Sequence, residues 1–205
     1  MPDQIDLYSP FGSNICNLAK DSKYKTFLDV GTWNGEGTTM CLYEGIANRK
    51  HVNDVMIYSV EANKEMLLKA VQFWKPVSPP FLQLIHGTLH KRIMDRQHVM
   101  NDHLFPSIKN HFDLYYEEEC RVIIDAPELK LSGDIDFVVL NGGEFSSRYD
   151  FEVIMGLHPK VIALNDINVI KNNYAYNNLL LDRSKWELHS KGSDRNGWAI
   201  FTARH

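Results

Sequence analysis

Three clusters of residues have the types and spacing that chemistry requires. The first is Asp29-Val-Gly-Thr-Trp-Asn-Gly-Glu-Gly-Thr38, directly after an apolar run. Glycines in such a place let the backbone turn tightly and approach a ligand closely. Their spacing restricts the ligand. A dinucleotide loop reads G-x-G-x-x-G, and its middle glycine gives a pyrophosphate room at a helix N-terminus. Here the glycines are Gly31, Gly35 and Gly37, with the indole of Trp33 at that middle position. A Walker loop needs Gly-Lys-Ser/Thr, whereas this chain has Gly35-Glu-Gly37. A glycine loop beside Asp29 suits a ligand with an ammonium group and no phosphates. The second cluster is Glu61-Ala62-Asn63, closing another apolar run. A carboxylate there can accept hydrogen bonds from both hydroxyls of a ribose. The third is the oxygen-rich pair of corners Asn141-Gly-Gly-Glu144 and Asn165-Asp166-Ile-Asn168. With oxygen donors and no sulfur it suits a hard cation such as Mg²⁺, Mn²⁺ or Ca²⁺. The competing reading is that Asn141 and Asn165 satisfy backbone groups at strand ends.

These clusters need elements to hold them. Short apolar runs predict strands at Thr26–Gly31, Val55–Glu61, Phe81–His86, Ile135–Leu140 and Lys160–Leu164. Amphipathic stretches between them predict helices from Gly35 to about Asn48, over Asn63–Trp74 with Asn63 as cap, over Ser147–Leu157 and over Val169–Asp182. The alternation predicts an α/β, doubly wound, Rossmann-like and mostly parallel sheet of seven strands. Its last two strands, Trp186–Ser190 and Trp198–Ala203, flank the polar turn KGSDRNG and predict a C-terminal antiparallel hairpin. One domain over 1–205 is expected, with 1–25 as an N-terminal cap segment and 89–133 as a long connection between strands three and four. The run Glu117–Glu119 in that connection reads as a solvated helix face.

The loop Asp29-x-Gly31-x-x-x-Gly35-x-Gly37-Thr38, on the first strand of such a sheet, resembles the first motif of class I S-adenosylmethionine (SAM) methyltransferases. The resemblance implies that Asp29, Gly31, Thr32, Trp33, Gly35, Gly37 and Thr38 bind SAM. It gives Glu61 the SAM ribose, sets Ala62 and Asn63 near the adenine with the corner His86-Gly87-Thr88 lining it, and counts Asn141 among the cofactor-binding residues. The two oxygen-rich corners are similar to those of metal-dependent small-molecule and sugar O-methyltransferases. In these, acids or amides hold a divalent ion beside the acceptor hydroxyls, which would make Asn141, Asn165 and Asp166 ligands of Mg²⁺ or Mn²⁺. The chain departs from that pattern by carrying Asn141 and Asn165 where aspartates are usual, so a modest metal affinity is expected. VVLNGGEF, ALNDINVIKN and WEL…RNGWAIF further resemble small methyltransferase domains found alongside glycosyltransferases.

Methyl transfer to a hydroxyl needs an aligned acceptor and a base or cation for the developing alkoxide. Asp166 is the first candidate base or metal ligand and Glu144 the second, with Asn141 beside them and Lys171 and His90 as weaker candidates. Tyr8, Phe11, Trp33, Tyr115 and Tyr116 could stack on an acceptor ring.

Composition limits the alternatives. The chain has 205 residues, 44% hydrophobic and 11% aromatic, which is ample for a core and unlike a disordered chain. Lys and Arg number 22 against 26 Asp and Glu, a net charge of −4 that gives no reason to expect a nucleic-acid partner. The cysteines Cys16, Cys41 and Cys120 form no CxxC, so a reducing, cytoplasmic setting is expected. MPDQIDLY is unlike a signal peptide, and no apolar run approaches the ~18 residues of a membrane span. The leading expectation is SAM-dependent O-methylation of a sugar or small-glycan hydroxyl, assisted by a divalent cation. The alternatives are a SAM-binding interaction module that has lost catalysis, and a small-phenol O-methyltransferase.

Overall fold

A computed structural model describes residues 5–204. Its centre is a seven-stranded sheet in the order β3-β2-β1-β4-β5-β7-β6. The strands are β1 (Thr26–Val30), β2 (Met56–Glu61), β3 (Leu82–His86), β4 (Phe137–Leu140), β5 (Val161–Asn165), β6 (Trp186–Gly192) and β7 (Trp198–Ala203). The first five pair in parallel, and β7 lies antiparallel between β5 and β6. The α/β sheet and its C-terminal hairpin are those expected from the sequence. The four residues of β4 are buried, as are the five of β5, which is what continuous apolar runs produce when helices cover both faces of a parallel sheet.

Helices α1 (Pro10–Ala19) and α2 (Thr38–Ala47) pack together over one face of the sheet. They approach closely at Gly45, where a Cβ would stand 2.4 Å from the Cys16 carbonyl oxygen. Helix α1 begins at Pro10 behind Ser9, whose hydroxyl accepts from the Gly12 amide, and it falls within the expected cap segment. Residues 1–4 of that segment lie outside the described residues. Helix α3 (Lys64–Trp74) starts at the expected cap, with Asn63 Oδ1 accepting from the Glu65 and Met66 amides. Helices α6 (Ser147–Met155) and α7 (Ile170–Leu181) cover the opposite face, over Leu28, Val138, Leu140 and Ile162.

The long connection contains α4 (Arg96–Met100), a single 3₁₀ turn at Phe105–Ser107, and α5 (Phe112–Asp125). It builds a third apolar cluster in which Met94, Val99 and Phe112 pack on Phe145 and Ile170. Phe145 follows β4 and Ile170 opens α7, so this cluster seats the connection over the carboxyl edge of the sheet. Glu119 corrects the expectation of a solvated acidic face. Its carboxylate accepts from the Glu144, Phe145 and Ser146 amides at 2.8–3.2 Å. These amides open α6, where the helix dipole favours an anion. A Cβ on Gly143 would meet the Glu119 carboxylate, so a glycine is what lets α5 dock here.

Candidate active site

Strands β1, β2, β3, β4 and β5 all end at one edge of the sheet. The chain leaves β1 toward β2 on one side and reaches β4 on the other, so a switch point lies between β1 and β4, where doubly wound sheets bind ligands. A cavity of about 650 Å³ opens there. It has the size of a nucleoside-class ligand site.

The β1–α2 turn forms one wall. Gly31 has φ +95°, and a Cβ there would stand 2.3 Å from the Asn141 carbonyl oxygen, so only glycine lets this turn press against the end of β4. The Gly31 and Thr32 amides donate to the Val60 carbonyl. Trp33 adopts φ +53°, and its amide donates to Glu61 Oε2 at 2.7 Å. Its indole is 53% exposed at the rim. Gly31, Thr32, Trp33, Gly37 and Thr38 line the cavity.

Asp29 and Gly35 do not line it, contrary to expectation. Asp29 is fully buried beneath the turn, accepting from the hydroxyls of Thr38 at 2.7 Å, Thr39 at 2.6 Å and Ser59 at 3.1 Å. Burial holds its carboxyl above the usual carboxylate range, while the three hydroxyls pull the other way. Asp29 fixes the start of α2 against β2. Gly35 has φ +86° and faces α3, where Trp74 Nε1 donates to its carbonyl at 3.1 Å and fills the space a Cβ would take.

Glu61 ends β2 with its carboxylate in the cavity wall. Oε2 holds the Trp33 amide, and Oε1 holds the Asn63 amide at 2.8 Å. Burial pushes its carboxyl up to about 7 against the pull of these amides. Each oxygen keeps a second lone pair, so a vicinal diol could be gripped in the bidentate manner. Ala62, Gly87 and Thr88 also line the cavity, with His86 Nε2 3.1 Å from the Ala62 carbonyl oxygen between them. This wall can hold a nucleoside bearing a free ribose diol.

The far end is built by the β4 and β5 corners. Asn141, Glu144, Asp166 and Lys171 line the cavity, and Asn165 lies buried behind them. Lys171, in the first turn of α7, sends Nζ to Asn141 Oδ1 at 2.8 Å and Asp166 Oδ2 at 3.1 Å. Asn165 Nδ2 donates to the same two oxygens at 3.1 and 2.8 Å. Asn196, in the β6–β7 turn, donates to Asp166 Oδ1 at 3.1 Å. Buried Asn172 ties the carbonyls of Leu140 and Asn165 together and so fixes the start of α7 across both strand ends.

This donor set does not fit a divalent cation, which corrects the expectation for Asn141, Asn165 and Asp166. Asn165 presents its amide nitrogen to the corner, and the oxygens of Asn141 and Asp166 already accept from Lys171 and Asn165. A doubly charged ion about 4 Å from an ammonium would be opposed by roughly 8 kcal/mol at an effective dielectric of about 20. Among the described residues no group of three or more His, Cys, Asp or Glu could hold a metal ion.

Glu144 has a single hydrogen-bond partner among the described residues, its Oε1 accepting from the Lys171 amide at 3.3 Å. Burial pushes its carboxyl up to about 7, partly offset by the charge of Lys171. His90 packs behind the wall with Nε2 3.1 Å from Asp150 Oδ1. Of the aromatic candidates, Trp33 and Tyr115 line the cavity. Phe11 is core against Trp198, Tyr116 belongs to the third cluster, and Tyr8 is 94% exposed away from the cavity. Glu119, Arg195 and Asn196 reach the site without having been singled out from the sequence.

No family model matches the chain, and no curated protein matches it. Solved structures do. The O-methyltransferase TomG from Streptomyces achromogenes, involved in tomaymycin synthesis and solved with SAM, aligns with a TM-score of 0.63 at 12% identity, covering 100% of this chain and 84% of its own. The O-methyltransferase from Bacillus cereus in complex with SAH aligns at 0.60 and 14% identity, covering 96% and 82%. The SAH-bound Podospora anserina methyltransferase PaMTH1 aligns at 0.59 and 14%, covering 95% and 78%. At such identities the likeness establishes the shared fold. Among the described residues no helix is long and apolar enough to cross a membrane.

Proposed function

We propose that the chain is a SAM-dependent O-methyltransferase that acts on a hydroxyl of a sugar or small glycan. The observation that carries this reading is that the β1–α2 turn and Glu61 face the same cavity as Glu144 and Lys171. The near wall is shaped for a nucleoside diol, and the far end can activate a hydroxyl. The neighbours solved with SAM or SAH share this fold.

When bound, SAM supplies an electrophilic methyl carbon, so that a C–O bond forms, the C–S electron pair leaves on sulfur, and the acceptor oxygen loses its proton. Glu61 holds the ribose diol through the lone pairs left by the Trp33 and Asn63 amides. Asp29 acts as a positioning residue through Thr38 and Thr39. Glu144 takes the acceptor's proton, because a base poised near 7 suits neutral conditions. Asp166, first in rank on sequence, holds Lys171 and Asn196 in place. Trp33 and Tyr115, both about half exposed at the rim, offer flat apolar faces to a sugar ring.

The test is incubation of the protein with labelled SAM and a panel of glycosides and phenols. Label appearing as a methyl ether on a glycoside is the expected result. Transfer to phenols alone would replace the sugar with an aromatic acceptor, and transfer to nitrogen or carbon acceptors alone would remove the O-methyl assignment.

A further inference from the structure

We propose that Lys171 takes the place of a divalent cation in this site, so that its ammonium faces the acceptor oxygen and the protein methylates without metal. The inference rests on the methyltransferase reading and specifies how its acceptor end works. An ammonium has three N–H donors. Two are engaged by Asn141 Oδ1 and Asp166 Oδ2, which leaves one without a partner among the described residues. The Lys171 side chain is 11% exposed and lines the cavity, so this donor has little water to compete for it.

The surroundings are built for an ammonium. Asp166 supplies the counter-charge through Oδ2, and its other oxygen is held by Asn196. Asn165 donates to both of the oxygens that hold Lys171. Such a donor completes the lone pairs of Asn141 and Asp166 around a lysine. Where a cation needed those lone pairs, it would have to turn away. An aspartate at position 141 or 165 would strengthen metal binding, and the neutral amides present leave Asp166 as the carboxylate that pairs directly with Lys171.

Lys171 and Glu144 line the same cavity, and the Lys171 backbone amide donates to Glu144 Oε1. When the acceptor attacks, its proton passes to the Glu144 carboxylate and the charge developing on oxygen faces Nζ. A fixed donor aimed at developing charge is worth on the order of 100-fold in turnover.

The experiment combines manganese titration, followed by the electron paramagnetic resonance of free Mn²⁺, with turnover in EDTA and SAM calorimetry. It compares the intact protein with Lys171→Met and Lys171→Arg. The expected results are no Mn²⁺ uptake by the intact protein up to millimolar ion, and turnover unchanged by EDTA. Lys171→Met should lose roughly 100-fold in kcat with SAM affinity within twofold. Lys171→Arg should recover part of that loss, since it restores the cation. Stoichiometric Mn²⁺ binding with EDTA-sensitive turnover would overturn the proposal, as would a Lys171→Met protein with full kcat. Failure of the intact protein to bind SAM would overturn the methyltransferase reading and this proposal with it, whereas Mn²⁺ uptake by a SAM-binding protein overturns this proposal alone.

Discussion

Glu61→Gln should make the ligand-free protein more stable while weakening its grip on SAM. Burial raises the Glu61 carboxyl from its usual 4.5 to about 7. That rise corresponds to about 3 kcal/mol. Because the folded-state value lies above the unfolded one, the folded protein binds this proton more tightly. Stability from this group is therefore full below about 4.5 and is lost as pH rises through about 7. At pH 8 the charge is present and its burial is costly. Glutamine removes that cost but turns an NH₂ toward the Trp33 or Asn63 amide, forfeiting one hydrogen bond worth about 1 kcal/mol. The net gain is about 1–2 kcal/mol, or roughly 2–8 °C in Tm for a chain of this size at pH 8, and no gain is expected at pH 4. Binding moves in the opposite direction. Glutamine carries no charge and loses an acceptor, so SAM affinity should fall by roughly 1.5–3 kcal/mol, about 10- to 150-fold. Melting curves at the two pH values and calorimetric titration with SAM read both effects. A variant that binds SAM as the parent does would refute the diol assignment. A variant that melts lower at pH 8 would refute the burial argument.

Three further outcomes follow from the same geometry. Turnover at saturating SAM should rise with pH through about 7 and then level as Glu144 ionises. Glu144→Gln should cost 10²–10⁴-fold in kcat on the order typical of a general base, and a flat profile in the parent would remove Glu144 from that role. Glu119→Ala leaves the Glu144, Phe145 and Ser146 amides without their acceptor. It should cost about 2 kcal/mol, lowering Tm by roughly 4–8 °C, and speed amide exchange at those three residues; unchanged exchange would deny that α5 is latched there. Gly31→Ala sets a Cβ 2.3 Å from the Asn141 oxygen at a positive φ. It should cost at least about 2 kcal/mol, seen in denaturant unfolding, and a variant of normal stability would mean the turn can move.

The sheet was legible because its strands are continuous apolar runs, and β4 and β5 are buried on both faces as such runs require. The hairpin was legible because WELHS and WAIFT flank a turn-forming linker. Glu61 was legible by its place at the end of a strand. Asp29 was misread because a strand pattern says that it is buried but not which hydroxyls meet it. Thr38, Thr39 and Ser59 converge on it only once α2 lies over β2. Glu119 was hidden within a triple of acids, since its partners lie 25 to 27 residues onward at the start of α6. The connection was illegible for a related reason. Helix α5 buries only Phe112 and Ile123 fully, too few to mark a face. Lys171 reads as an ordinary charge near a helix start, and only the crossing of α7 over the ends of β4 and β5 brings it between Asn141 and Asp166. The metal expectation failed at the same point, because sequence shows which oxygens are near and not which nitrogen already occupies them.

The central claim is that the β1–α2 turn and Glu61 hold a sulfonium nucleoside without a diphosphate. Calorimetric titration of the intact protein with SAH, SAM and NADH in parallel tests it most directly. Saturable one-to-one binding of SAH and SAM, with no heat from NADH, is the predicted result; binding of NADH in their place would contradict it.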